Sequence, residues 1–213
     1  MRLIAVTILF SMLLISNFAM VNSKMEIAKN NSFNTEFYSS FNDNNKRFID
    51  VINCSTNSRC IGSTENNNIT GTNLNDQIFG LSDNDNITGM IGNDNIYGNE
   101  GDDVLYGDEI FEITEFDFQY DRNDYISGDI GNDNIDGGIG DDFIEGGEDN
   151  DVLQGNRGAD YIFGDDGNDL LYSSTKNDSS DNRMDYVDCG PGNNDTAFIT
   201  DSDIVINCEN LID

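Results

Sequence analysis

The stretch Gly137-Gly-Ile-Gly-Asp-Asp-Phe-Ile-Glu145 is one copy of a nine-residue pattern that recurs along most of this chain. Each copy has a glycine at its first position, an acid or an amide at its sixth position and an aliphatic residue at its eighth position. Glycine permits the positive φ values that a tight turn uses, and the last three residues form a minimal strand with the aliphatic side chain facing inward. One such strand buries nothing alone, so the pattern predicts an all-β parallel β-solenoid with two short strands in each 18-residue coil.

Eleven copies of this pattern fill residues 62–172, and residues 109–120 interrupt the sixth copy. The first-position glycines are Gly62, Gly71, Gly80, Gly89, Gly98, Gly107, Gly128, Gly137, Gly146, Gly155 and Gly164. The sixth position is Asn67 in the first copy and aspartate in the other ten: Asp76, Asp85, Asp94, Asp103, Asp124, Asp133, Asp142, Asp151, Asp160 and Asp169.

The period places these aspartates in two columns, because residues 18 apart stack on neighbouring strands ~4.7–4.9 Å apart. Asp142 then lies beside Asp160 on one edge, and Asp133, Asp151 and Asp169 lie on the other. Carboxylates this close repel each other unless a cation lies between them, and hard oxygen ligands suit Ca²⁺. The alternative is an acidic solenoid whose aspartates only shape turns. Turn formation alone does not require aspartate at the same position of ten successive repeats.

The composition narrows the function classes. With 41 acidic and 10 basic residues the net charge is −31, which disfavours nucleic acid as a partner and favours cations. The chain has no histidine, no H-E-x-x-H and no G-x-S-x-G, so we expect no enzyme activity. A hydrolase that uses paired carboxylates stays as the less favoured alternative.

The two ends of the chain indicate export. Residues 1–23 resemble a signal peptide, with an uncleaved membrane anchor as the alternative and no other membrane contact expected. We predict a linker and N-terminal cap over 24–61, the repeats over 62–172, a C-terminal cap over 173–213, and a secreted or cell-surface location. Outside the cell, the local pairs Cys54/Cys60 and Cys189/Cys208 are expected to be disulfides that close the ends of the solenoid.

The repeat resembles the GGxGxDxUx nonapeptide of the RTX (repeats-in-toxin) calcium-binding family, over about half of the chain. The resemblance implies a right-handed parallel β-roll with several Ca²⁺ ions between successive turns, held by the aspartates and by turn carbonyls. The implied carbonyl ligands are those of Gly89, Gly92, Gly98, Gly101, Gly128, Gly131, Gly137, Gly140, Gly146, Gly155, Gly158, Gly164 and Gly167.

Several copies depart from the family pattern at the fourth position, where Glu65, Leu74, Asp83 and Asp149 replace glycine. Aspartate tolerates the left-handed conformation, whereas Leu and Glu do so poorly. The first two coils, around Asn67 and Asp76, are therefore expected to bind metal weakly or not at all.

Outward-facing aromatic residues suggest a role for one sheet. Stacking predicts Phe79 over Tyr97, then Tyr125, Phe143 and Tyr161 in a column with Phe163 beside it. We call these six residues the aromatic face. An exposed aromatic surface is usually covered, either by the insertion 109–120 folding back or by a glycan, a surface polymer or a second copy. The function expected is a secreted calcium-binding β-roll, structural or adhesive, with a non-catalytic glycan- or polymer-binding adhesin as the alternative.

Overall fold

The computed structural model describes residues 36–40, 49–54, 59–108, 122–174 and 183–212. The predictions for the signal segment 1–23 and for the insertion 109–120, including its fold-back, lie outside the described residues. The described strands all belong to one compact unit, which spans residues 33–213.

Every element in the described part of the chain is a β-strand. In chain order the strands are β1 (Glu36–Ser40), β2 (Ile49–Asn53), β3 (Arg59–Ile61), β4 (Asn67–Thr70), β5 (Gln77–Ser82), β6 (Asn86–Thr88), β7 (Asn95–Glu100), β8 (Val104–Tyr106), β9 (Tyr125–Ile130), β10 (Asn134–Ile139), β11 (Phe143–Glu148), β12 (Val152–Arg157), β13 (Tyr161–Asp166), β14 (Leu170–Tyr172), β15 (Tyr186–Asp188), β16 (Thr196–Phe198), β17 (Ile204–Ile206) and β18 (Asn210–Ile212). Among these residues there is no helix with the length and apolar character needed to cross a membrane.

The strands form two sheets, as the repeat predicts. One sheet has the order β1-β2-β4-β6-β8-β10-β12-β14-β16-β18, and the other has the order β17-β15-β13-β11-β9-β7-β5-β3. All neighbours are parallel except β1, which is antiparallel to β2. In uninterrupted repeats the register is 18 residues, so that Ile144 pairs with Ile162. Across the insertion the same pairing is kept at a separation of 30 residues, as for Asp94 and Asp124. The predicted parallel β-solenoid is confirmed.

The core is one line of inward side chains from each sheet. These side chains are almost fully buried: Ile52, Cys60, Ile69, Ile78, Ile87, Ile96, Leu105, Ile126, Ile135, Ile144, Leu153, Ile162, Leu171, Val187 and Ala197. Burial of one Ile, Leu or Val side chain stabilises the fold by ~1.5–3 kcal/mol. Because these side chains are buried only when coils stack on each other, the strands depend on stacking for their stability.

Disulfides join Cys54 to Cys60 and Cys189 to Cys208, which confirms the predicted pairing. Cys60 takes the place of an inward aliphatic residue in β3, and Cys189 is fully buried. The solenoid also continues beyond residues 62–172, because β2 and β3 precede the first repeat and β15 to β18 follow the last.

The turns follow the fourth-position prediction. Gly140 has φ +143°, and Asp83 and Asp149 adopt positive φ values of 64° and 82° at the same position. Glu65 and Leu74 do not adopt positive φ, so the first two turns close differently from the others.

Candidate metal centre

The sixth-position acids are held by a ladder of hydrogen bonds along the solenoid. The backbone N–H of each sixth-position residue donates to the Oδ1 atom of the sixth-position acid one coil further on. The N–H of Asp133 donates to Asp151 at 2.8 Å, and that of Asp151 donates to Asp169 at 2.9 Å. The bond is kept across the insertion, where Asp94 donates to Asp124 at 2.8 Å. The turns therefore present equivalent carboxylates at one fixed position in every coil.

Two columns result, one at each edge of the sheets. The first column contains Asn67, Asp85, Asp103, Asp133, Asp151, Asp169, Asp195 and Glu209. The second column contains Asp76, Asp94, Asp124, Asp142, Asp160, Asp185 and Asp203. All ten aspartates predicted from the repeat lie in these columns, with the predicted neighbours.

The second carboxylate oxygen, Oδ2, is what sets these turns apart. It is buried and accepts no hydrogen bond in Asp85, Asp94, Asp103, Asp124, Asp133, Asp142, Asp151, Asp169 and Asp195. These residues expose at most 3 % of their surface. A buried polar atom without a partner costs about 1–3 kcal/mol, and more when it is charged, so folded proteins contain few of them. A regular series of such oxygens indicates that a cation binds to them.

The first-position glycine makes room for this oxygen. A Cβ atom at Gly137 would lie 2.6 Å from Oδ2 of Asp142 and 3.1 Å from the carbonyl oxygen of Gly155 on the next coil. The carbonyl oxygens of Gly89, Gly98, Gly128, Gly146 and Gly164 lie in the same way against the first-position glycine one coil earlier. The structure thus brings first-position carbonyls and carboxylates together.

The fourth-position carbonyls stack separately from these. The carbonyl oxygen of Gly101 lies against Gly131, and that of Gly140 lies against Gly158. Among the described residues no three Asp, Glu, His or Cys side chains form one metal-binding group. Backbone carbonyls must therefore complete any coordination shell of six to eight oxygens.

Burial and like charge make these carboxylates hard to ionise without a cation. Burial, followed by repulsion from neighbouring carboxylates, raises the pKa of Asp124 to about 9 and that of Asp151 to about 8. The same two causes raise the pKa of Asp133 and of Asp169 to about 7 and that of Asp142 well above its ordinary value. A divalent cation between the oxygens would reverse this preference, because it favours the ionised form.

The spacing of the coils suits Ca²⁺. Equivalent oxygens on neighbouring strands repeat every ~4.7–4.9 Å. Ca²⁺–oxygen distances are about 2.3–2.6 Å, whereas Mg²⁺ needs about 2.0–2.1 Å and a stricter octahedron. An ion of the size of Ca²⁺ therefore matches the step between two coils.

Three turns differ because the protein itself supplies the hydrogen-bond donors. Oδ2 of Asp76 accepts bonds from the backbone N–H of Thr72 at 2.6 Å and from the Thr72 hydroxyl at 2.9 Å. Oδ1 of Asn67 accepts the N–H of Ser63 at 2.6 Å. Oδ2 of Asp203 accepts the N–H of Thr200 at 2.7 Å. In these three turns a protein donor occupies the oxygen that has no partner in Asp85, Asp94 and Asp133, whereas in Asp76 it is Oδ1, on the ladder side, that is buried without a hydrogen-bond partner.

The prediction from sequence missed four members of the columns, Asp185, Asp195, Asp203 and Glu209. Their turns lack the first-position glycine, but the triplet of an acid, any residue and an inward residue persists, as in Asp185-Tyr-Val187 and Asp203-Ile-Val205. That triplet was the signal that could have found them.

A buried ion pair, also missed, lies at the base of the insertion. Nη1 of Arg122 lies 3.3 Å from Oδ1 of Asp108, and both side chains are almost fully buried. Oδ2 of Asp108 accepts the N–H of Ile139 at 3.0 Å, so the pair is tied to the next coil.

The aromatic face has the predicted neighbours. Phe79 stacks on Tyr97 with ring centroids 4.9 Å apart, and Phe143 stacks on Tyr125 at 5.6 Å and on Tyr161 at 6.3 Å. The row continues to Tyr186, which lies 5.8 Å from Tyr161.

Comparison with known families agrees with this geometry. The RTX calcium-binding nonapeptide repeat matches in four copies, at residues 61–95, 79–109, 120–153 and 145–179, which together cover more than half of the 213 residues. A comparison of the sequence with curated proteins finds no match.

Proposed function

Since the chain belongs to the family defined by the RTX calcium-binding nonapeptide repeat, we propose that this calcium-binding β-roll is secreted and acts as a non-catalytic structural or adhesive element outside the cell. Ca²⁺ bound between the turns supplies positive charge to carboxylates that cannot otherwise be ionised together. The observation that carries this proposal is the series of buried Oδ2 atoms without hydrogen-bond partners.

The metal ligands that we propose are the aspartates with a free Oδ2, together with turn carbonyls. The first column supplies Asp85, Asp103, Asp133, Asp151 and Asp169, and the second supplies Asp94, Asp124 and Asp142. We also propose Asp160 as a ligand, because the ladder bonds hold it in the second column between Asp142 and Asp185. Asp76 is the exception among the ten predicted aspartates, because Thr72 occupies its Oδ2 atom. We expect no ion at that turn.

Three features support a structural role outside the cell. Two disulfides close the ends of the solenoid, and disulfides persist in oxidising compartments. The sequence begins with a segment of the signal-peptide type. Proteins of the RTX repeat β-roll type are typically non-catalytic, and the buried column carboxylates of this chain lie in the turns between strands.

Equilibrium dialysis of the full chain against Ca²⁺ and, separately, Mg²⁺ tests the metal assignment. We expect several bound Ca²⁺ ions per chain and far weaker Mg²⁺ binding. Export is tested by expressing the chain with its N-terminal segment and determining where the protein accumulates. Retention in the cytoplasm with reduced cysteines would contradict the extracellular role.

The aromatic face favours a second candidate function, the binding of a glycan or surface polymer. Its rings lie 4.9–6.3 Å apart along the sheet, and 53 % of Tyr161 is exposed. Flat rings in a row can stack against sugar rings, whose apolar faces are of similar size. A β-1,4-linked glucan oligomer is a suitable probe for calorimetry.

Replacing Tyr161 with Ala should abolish such binding. Replacing Tyr172, which stacks on Phe198 in the other sheet at 4.7 Å, should leave it unchanged. Binding that survives in Tyr161→Ala, or that both variants lose equally, would argue against the aromatic face as the binding surface.

A further inference from the structure

The closing coils carry a buried carboxylate that the repeat does not account for. Asp195 is fully buried, and it lies beyond residue 179, where the last matched repeat ends. Its Oδ1 atom accepts the N–H of Asp169 at 2.9 Å, and its own N–H donates to Oε2 of Glu209 at 2.9 Å. Asp195 therefore continues the first column with the same backbone bonds as the repeats.

The second carboxylate oxygens of Asp195 and of its neighbour Asp169 have no hydrogen-bond donor from the protein. Oδ2 of Asp195 and Oδ2 of Asp169 are both buried and accept no hydrogen bond, and Asp169 exposes only 2 % of its surface. The two residues are joined by the ladder bond, so their carboxylates lie on adjacent strands, before β14 and β16. Two buried acids without donors are thus placed one strand spacing apart.

A different set of residues builds the same turn here. The carbonyl oxygen of Cys189 lies against Gly164, where the earlier coils place a glycine carbonyl. A Cβ atom at Gly164 would lie 2.7 Å from Oδ2 of Asp169. Gly192 packs against the carboxylate of Asp195, as the first-position glycines do in the repeats. The disulfide from Cys189 to Cys208 ties this turn to the last coil.

We propose that Asp195, which lies beyond the matched repeats, forms a further Ca²⁺ site with Asp169 of the last repeat, and that the series of sites in the first column ends there. The ion would join β14 to β16 and fasten the C-terminal cap to the solenoid. This proposal rests on the calcium binding of the repeats but adds Asp195, which the repeat pattern leaves out.

Asp203 provides a matched control within the same cap. It also continues a column, since its Oδ1 atom accepts the N–H of Asp185 at 3.1 Å. Its Oδ2 atom, however, accepts the N–H of Thr200 at 2.7 Å, as Asp76 accepts that of Thr72. Both oxygens of Asp203 already have donors, so we expect no ion at this residue.

The test compares Asp195→Asn with Asp203→Asn in the full chain, with bound Ca²⁺ counted by native mass spectrometry at saturating calcium. Asparagine keeps an Oδ1 acceptor for the ladder bond and replaces the charged Oδ2 with an amide NH₂ group, which cannot bind Ca²⁺. In Asp203→Asn this replacement removes the bond from the Thr200 N–H, but no ion ligand. We expect Asp195→Asn to bind one ion fewer than the wild type and Asp203→Asn to bind the same number. An unchanged count in Asp195→Asn, or an equal loss in both variants, would overturn the proposal.

A second measurement does not depend on the folding of a variant. Anomalous scattering from wild-type crystals grown with calcium should show a peak beside Asp169 and Asp195 and none beside Asp203. Ions in the repeats without a peak at Asp195 would refute this site alone. A wild type that binds no calcium at all would instead refute the proposed function.

Discussion

Replacing Asp151 with Asn tests whether the free Oδ2 atoms hold calcium. The Oδ1 atom of Asp151 accepts the N–H of Asp133 at 2.8 Å, and its N–H donates to Asp169 at 2.9 Å. Asparagine can keep both bonds, and the substitution replaces the charged Oδ2 with an amide NH₂ group, which cannot bind a cation. Because Asp151 lies between two aspartates of its column, the sites on both sides lose one carboxylate.

The expected loss follows from removing one partner of a buried charge interaction. Such changes cost about 3–5 kcal/mol, so the free energy of unfolding at saturating Ca²⁺ should fall by about that amount in Asp151→Asn. Urea unfolding followed by circular dichroism at a fixed Ca²⁺ concentration measures this loss. Calorimetry should show weaker calcium binding in the same variant.

Asp76→Asn is the matched control, since Thr72 already occupies Oδ2 of Asp76. The chain itself shows that asparagine suits such a turn. Asn67 accepts the N–H of Ser63 at 2.6 Å, and its Nδ2 donates to the Ser63 hydroxyl at 2.9 Å. Replacing the charged acceptor of the two hydrogen bonds from Thr72 by a neutral one should lower the free energy of unfolding by no more than about 1 kcal/mol. Equal losses in Asp151→Asn and Asp76→Asn would refute the reasoning that free Oδ2 atoms mark the calcium sites.

Three further predictions concern the turns and the pH dependence. Gly137→Ala should lower the free energy of unfolding by about 1–3 kcal/mol in a denaturant titration, because its Cβ would lie 2.6 Å from Oδ2 of Asp142; an unchanged midpoint would show that the turn has spare room. Met90→Gly should leave stability unchanged or raise it by up to about 1 kcal/mol, since relief of the positive φ of 88° outweighs or balances the greater freedom of glycine in the unfolded chain; a clear loss in thermal unfolding would contradict this. Burial raises the pKa of Asp124 to about 9 and that of Asp151 to about 8, so the calcium-free fold binds more protons than the unfolded chain and loses stability as the pH rises toward 9. Because the chain in chelator is expected to be mostly disordered at pH 7.5, its aspartates are then already ionised. Titration calorimetry at pH 7 in buffers of different ionisation enthalpy should therefore detect little proton release on calcium binding, and release of several protons would show that a folded, protonated state exists without calcium.

Much of the solenoid could be predicted because one short period sets several features together. A spacing of 18 residues brings Ile144 onto Ile162 and Phe143 onto Tyr161, and it also places Asp142 beside Asp160. The disulfides followed from local pairs of cysteines at the two ends of the repeats. None of these inferences needed the three-dimensional detail of a turn.

The details that were not predicted depend on single backbone groups. Whether Oδ2 of Asp76 is free depends on the direction of the Thr72 N–H, which the repeat pattern does not specify. Positive φ at the second position, as at Leu81 and Met90, likewise contradicts residue preference because stacking of the coils determines the turn.

The closing coils were missed for a different reason. The turn before Asp195 begins at Cys189 instead of glycine and is one residue longer than a repeat. The ladder bond from Asp169 to Asp195 nevertheless keeps the column continuous. Backbone pairing tolerates such changes between strands, whereas a sequence pattern of fixed length does not.

Whether the fold requires Ca²⁺ between the turns is tested most directly by far-UV circular dichroism of the full, disulfide-bonded chain during a calcium titration. Folding that is coupled to binding shifts with the logarithm of the free calcium concentration. We predict a mostly disordered spectrum in chelator at pH 7.5 and a cooperative change to a β spectrum as Ca²⁺ reaches the millimolar range, with no such change in Mg²⁺. A β spectrum that is the same in chelator and in calcium would contradict the account.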